Sequence, residues 1–114
     1  MHKMNVKEKY YHMLKSGVKT IELRLFDEKR KKIKIGDFIE FSNNSDTSDK
    51  FTAQVINLHR ADTFGKLCKN INCHHAGFDT NEELIKVLEE FYPLDKQKEF
   101  GVIGIEIQKN HLLY

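Results

Sequence analysis

The sequence has no tryptophan, a single proline and only two cysteines among 114 residues, and its apolar runs are never more than a few residues long. The short runs rule out a hydrophobic transmembrane helix, which needs about 20 apolar residues. The N-terminus, Met1-His2-Lys3-Met4-Asn5-Val6, lacks the apolar stretch of a secretory signal, so a cytoplasmic location is the expectation. Cys68 and Cys73 in such a chain are expected to be free thiols rather than a disulfide framework. What is present is a globular balance: 39% hydrophobic and 32% charged residues, with eight Phe and four Tyr. That length supports one modest core, so residues 1–114 are expected to form a single domain.

Net charge is only +2, but its distribution is uneven. Lys29-Arg30-Lys31-Lys32-Ile33-Lys34 concentrates positive charge, while Glu82, Glu83, Glu89 and Glu90 concentrate negative charge. The basic run either lines a phosphate-binding rim or is a solvated turn. The acidic segment offers a surface for a protein partner.

Periodicity predicts a helix over 5–16, with Val6, Tyr10, Met13 and Leu14 forming one stripe and Gly17 as its C-cap. On this phase Tyr10 is expected in the core and Tyr11 toward solvent. A strand over 20–25 follows, then a charged turn ending near Lys32. Gly36-Asp37 turns into a strand at Phe38–Phe41, Ser42 to Asp49 reads as a loop, and Phe51 to His59 as a strand bulged near Ile56. A short helix is expected within 62–70. Thr80 and Glu83 have capping-box spacing ahead of a helix that ends at Pro93, and Val102–Ile107 is the last strand. Glu40 and Glu106 are expected to face outward, with a cleft-facing Glu106 left open. This order favours an α+β fold built on a small barrel.

The segment Gly17-Val18-Lys19-Thr20-Ile21-Glu22-Leu23-Arg24 carries the chemistry. Strand alternation sends Thr20, Glu22 and Arg24 to one side and Ile21 and Leu23 to the other. Lys19, Glu22 and Arg24 then constitute either a structural ion network or a binding site, with Arg24 supplying a planar fork for phosphate or carboxylate. Cys68, Cys73, His74 and His75 are potential metal ligands, but their spacing matches no recurring zinc pattern, so no metal is expected.

The pattern G-x-K-x-x-E-x-R at Gly17, Lys19, Glu22 and Arg24 resembles the ASCH-domain family of the PUA-like superfamily. Asp27-Glu28-Lys29-Arg30, Ile35-Gly36-Asp37 and the closing Phe100-Gly101-Val102-Ile103-Gly104-Ile105 extend the resemblance along nearly all of the chain. It implies a PUA-like β-barrel with flanking helices, a polar cleft beside the motif strand, RNA or nucleotide ligands, and no cofactor. The expected ligand-binding residues are Lys19, Thr20, Glu22, Arg24, Arg30 and Lys31.

One subgroup of the family hydrolyses N4-acetylcytidine with a lysine, a threonine three residues later and a loop glutamate. Lys19 matches that lysine, Glu22 occupies the threonine position, and the loop Asn72–Phe78 contains no glutamate. Lys19 and Glu22 as an acid/base pair are therefore the candidate catalytic residues of a hydrolase alternative. His74 or His75 is a candidate substitute for the loop glutamate.

Overall fold

A computed structural model of the chain describes residues 1–109. Five strands form one mixed sheet: β1 (His2–Val6), β2 (Ile21–Leu25), β3 (Phe38–Asn43), β4 (Asp46–Ala61) and β5 (Val102–Lys109), in the order β1-β3-β4-β5-β2. Four helices accompany it: α1 (Glu8–Ser16), α2 (Phe64–Leu67), α3 (Asn81–Phe91) and α4 (Leu94–Phe100). The fold is α+β, as the order of elements implied. No helix among the described residues is long and apolar enough to cross a membrane.

The sheet curls into a half-barrel whose edges are β1 and β2. β1 pairs in parallel with β3, and the other neighbours are antiparallel. Each face of the sheet has its own core. Met4, Tyr11, Leu14, Phe41, Val55, Ile103 and Ile105 pack on the α1 side. Ile21 and Leu23 pack on the other side with Phe64, Leu67, Leu84 and Leu88 from α2 and α3. Full burial of such a side chain contributes about 1.5–3 kcal/mol.

Several local features follow the sequence closely. Gly17 ends α1 with φ +87°, a backbone region open to glycine without the Cβ penalty, and its N–H donates to the Leu14 carbonyl. Ile56 is the bulge in β4, where pairing with β5 shifts between Val55 and Asn57. The Thr80 hydroxyl caps α3 by accepting from the Glu83 N–H at 3.1 Å. The Glu83 carboxylate accepts from Asp79 N–H rather than from Thr80, so the box closes one residue early.

Other expectations are corrected. Residues 2–6 are a strand, and the helix starts at Glu8. That moves the buried stripe to Tyr11 and Leu14, leaving Tyr10 half-buried and Tyr11 fully buried, the reverse of the expected order. The polar stretch Ser42 to Asp49 is not a loop. β3 runs to Asn43, β4 begins at Asp46, and only Asn44 and Ser45 turn between them. Pro93 does end a helix, but it also opens α4, which periodicity missed. Glu106 pairs with His59 Nε2 at 2.8 Å, and Glu40 lies 3.9 Å from Lys50.

Candidate functional site

Paired residues of antiparallel strands share a face, so Glu22 opposite Ile105 and Arg24 opposite Ile103 project to the α1 side. β2 is an edge strand, and nothing pairs with its outer backbone among the described strands. Its two charged side chains therefore face the gap toward β1 rather than a continuous sheet. Lys19 enters the same gap from the turn after α1, its backbone N–H held by the Met13 carbonyl at 2.9 Å.

Lys19 and Arg24 converge on one carboxylate, that of Glu22. Lys19 Nζ lies 3.2 Å from Glu22 Oε1, and Arg24 Nη2 and Nε lie 2.8 and 2.9 Å from Oε2. Lys19 is 3% and Glu22 5% exposed. Lys19 also donates to the Ala76 carbonyl at 2.8 Å, and Arg24 Nη2 donates to the Asn5 carbonyl at 2.7 Å. Burial alone would push the Glu22 carboxyl up, but Lys19 and Arg24 outweigh it and hold the group below the usual carboxylate range. For Lys19 burial dominates, and its ammonium is pressed below the ordinary lysine value despite Glu22. Arg24 is desolvated too, yet Glu22 raises it further. The triad is two cations on one anion.

A cavity of about 230 Å³ opens over this triad. Its walls are aromatic: Tyr10 from α1, Phe78 at the end of the 72–78 loop, and Phe91 and Tyr92 at the end of α3. Tyr10 and Phe78 have ring centroids 5.8 Å apart, and the Lys19 ammonium sits 5.1 Å from the Tyr10 ring and 5.9 Å from the Phe78 ring. At the rim, Lys7 Nζ lies 4.3 Å over the Phe91 ring, beside Asn5 and Asn44. Three cations, Lys7, Lys19 and Arg24, thus line the cleft against the one carboxylate of Glu22.

The remaining candidate residues lie elsewhere. Thr20 does not line the cleft; its backbone bridges His75 and Ile107. Arg30 pairs with Asp27 at 3.0 Å and Lys31 with Glu28 at 3.2 Å, in and beside the 3-10 turn Arg30–Lys32, and neither lines the cleft. His74 and His75 also lie outside its lining; the loop reaches the triad through the Ala76 carbonyl instead. Cys68 is buried in the second core, its thiol donating to the Gly65 carbonyl and pushed up in pKa by burial. Among the described residues no group of three or more His, Cys, Asp or Glu side chains is placed to hold a metal.

Of the four aromatic walls, sequence reasoning considered only Tyr10 for stacking and favoured a core position for it. Phe78, Phe91 and Tyr92 are far from the motif in the chain; Phe78 lies in a segment with no clear period, and Phe91 belongs to the apolar stripe of a helix. Asn5 and Lys7 were hidden by reading β1 as part of α1. Tyr92 is fixed by a residue that carried no signal: buried Gln97 donates Nε2 to the Tyr92 carbonyl at 2.8 Å and accepts from Phe64 N–H at 2.9 Å.

The mixed five-stranded half-barrel with its four helices is a PUA-like fold. The chain belongs to the ASCH-domain family, whose model matches residues 4–111. Among solved structures it is similar to hypothetical protein PH0355, with 32% identity, a TM-score of 0.83 and coverage of 95% of this chain and 97% of that one. It is also similar to protein PF0455 from Pyrococcus furiosus, with 30% identity, a TM-score of 0.74 and coverage of 96% and 97%. No curated protein matches the sequence.

Proposed function

We propose that the chain, acting as one domain, binds RNA or a nucleotide by taking a single base-bearing unit into the cleft over Lys19, Glu22 and Arg24. The observation that carries this reading is the meeting of four aromatic side chains with cationic donors in one small cavity. Aromatic faces stack on any base at about 1–3 kcal/mol each, and Arg and Lys supply donors to phosphate or base oxygens. The volume lies below the roughly 300–1,000 Å³ of drug-sized pockets, which suits one unit rather than a stretch of chain. Membership of the ASCH-domain family supports the same ligand class. Arg30 and Lys31, next along from the cleft strand, then serve flanking phosphates.

Fluorescence anisotropy with short single-stranded RNA, together with NMR shift titration of mononucleotides, tests the placement. Phe91 is 44% exposed, so Phe91→Ala keeps the fold. It should weaken binding roughly five- to a hundredfold, as expected for one lost stack. No binding at low salt, or full affinity in both Phe91→Ala and Arg24→Ala, overturns the reading.

A second reading, a hydrolase acting on a modified nucleoside or on RNA, is favoured by one observation: burial presses Lys19 toward its neutral form beside Glu22. Against it, both Glu22 oxygens are held in ion pairs and the carboxylate stays ionised, which makes it a weak proton acceptor. Turnover of N4-acetylcytidine that disappears in folded Glu22→Gln would favour the hydrolase. Absence of turnover with binding retained leaves the binding module.

A further inference from the structure

The donor inventory of the triad does not close within the protein. An ammonium has three N–H donors, and Lys19 uses two, on Ala76 and Glu22. A guanidinium has five, and Arg24 directs Nε and Nη2 to Glu22 and Asn5. Arg24 Nη1 has no hydrogen-bond partner among the described residues and is not among the buried unpartnered atoms, and Arg24 lines the cavity. Among the described residues the only carboxylate lining the cleft has both oxygens engaged, and while Lys19 and Arg24 are both charged the triad carries one positive charge in excess under side chains that are 4%, 7% and 15% exposed. Excess charge at such depth is costly unless an anion meets it.

We infer that the ligand of this cleft brings a phosphomonoester to Arg24 Nη1 and the third N–H of Lys19, with its base held between the aromatic walls above. This rests on the base-binding reading of the cleft. A terminal phosphate is required because the floor is deep and the cavity holds about one unit. An internal phosphodiester would have to lead two chain continuations back out past Tyr10, Phe78, Phe91 and Tyr92. The matching chemistry is shared by a free mononucleotide and by a phosphorylated RNA end. Lys7 at the rim adds a third cation that attracts either from solution.

Isothermal titration of the full chain with four probe sets distinguishes the outcomes: nucleosides, their 5′-monophosphates, a short RNA with a 5′-hydroxyl, and the same RNA with a 5′-phosphate. The monophosphates should bind at least about tenfold more tightly than the nucleosides, as charge-assisted hydrogen bonds allow. In folded Arg24→Gln the ratio of monophosphate to nucleoside affinity should collapse toward one. If Arg24→Gln fails to fold, the wild-type comparison decides alone. Equal affinity for nucleoside and monophosphate, or for the two RNAs with no gain from the monophosphate, overturns this inference and leaves base binding standing. No binding by any probe overturns both. A preference for the monophosphate over the phosphorylated RNA, or the reverse, identifies the source of the phosphate.

Discussion

Lys19 donates to the carbonyl oxygen of Ala76 across 57 positions of chain, so the loop before α3 is fastened to the motif by a side chain buried at 3% exposure. The next residue makes that contact feasible. Gly77 has φ +92°, and a Cβ there would lie 3.3 Å from both Lys19 Cδ and Met13 Cε.

Gly77→Ala should therefore lower stability by about 1–2 kcal/mol from the left-handed backbone alone, with displacement of Lys19 added. Urea denaturation measures the first effect and ligand titration the second. A midpoint equal to wild type would show that the loop relaxes freely.

Glu22→Gln leaves Lys19 and Arg24 buried together without their counter-ion. Removing one partner of a buried ionic network costs about 3–5 kcal/mol, which is a large share of a small domain's stability. Thermal unfolding should show a clear drop, and a drop no larger than that of a surface variant would mean water already solvates the triad.

The same carboxylate sets a pH dependence. The folded-state pKa of Glu22 is depressed, so its stabilisation is fully present above the unfolded value near 4.3 and is lost as pH falls toward the folded value. Asp37, hydrogen-bonded by His2, and Asp49, hydrogen-bonded by Lys15 and Tyr11, are lowered as well and act in the same direction. Denaturant midpoints should fall below about pH 4, and Glu22→Gln should flatten that fall. An unchanged slope in the variant would assign acid sensitivity to the two aspartates.

Gln97→Leu keeps the volume at a fully buried position but orphans the Phe64 N–H and the Tyr92 carbonyl. Each unsatisfied group costs about 1–3 kcal/mol. Because Tyr92 walls the cleft, ligand affinity should fall along with stability, read by titration below the unfolding range.

Adjacent tyrosines should separate binding from folding. Tyr10→Ala removes a cleft wall and should weaken ligand binding. Tyr11→Phe deletes the hydroxyl that donates to Asp49 at 2.8 Å, which should cost about 1 kcal/mol with affinity unchanged. Equal effects of the two on binding would mean that the cleft is misplaced.

Legibility in the sequence followed the range of the interactions. The Gly17 cap, the Thr80 cap and the Ile56 bulge rest on contacts within a few residues or on a visible break in alternation, and each was readable. β1 was not. It has two buried positions, Met4 and Val6, and owes its conformation to parallel pairing with β3 more than thirty residues on. Taking Val6 into the helix shifted its phase, which exchanged the roles of Tyr10 and Tyr11. Composition misled at Ser42–Asp49, where polar residues fill the solvent-facing ends of a hairpin whose turn is only two residues long. Around the site, the motif yielded the charged floor, since alternation and spacing are local. The aromatic walls come from segments that only tertiary packing brings there.

Among the described residues the two edges of the half-barrel are joined by the Arg24 guanidinium on the Asn5 carbonyl and not by a backbone ladder. A ladder would fix the separation of β1 and β2 in steps of a strand spacing. Here a single long side chain spans the gap instead, held at one end by Glu22 and at the other by the Asn5 carbonyl. The residue that joins the two edges is thus also one that neutralises Glu22, so the closure of the half-barrel and the charge of the cleft floor rest on the same guanidinium.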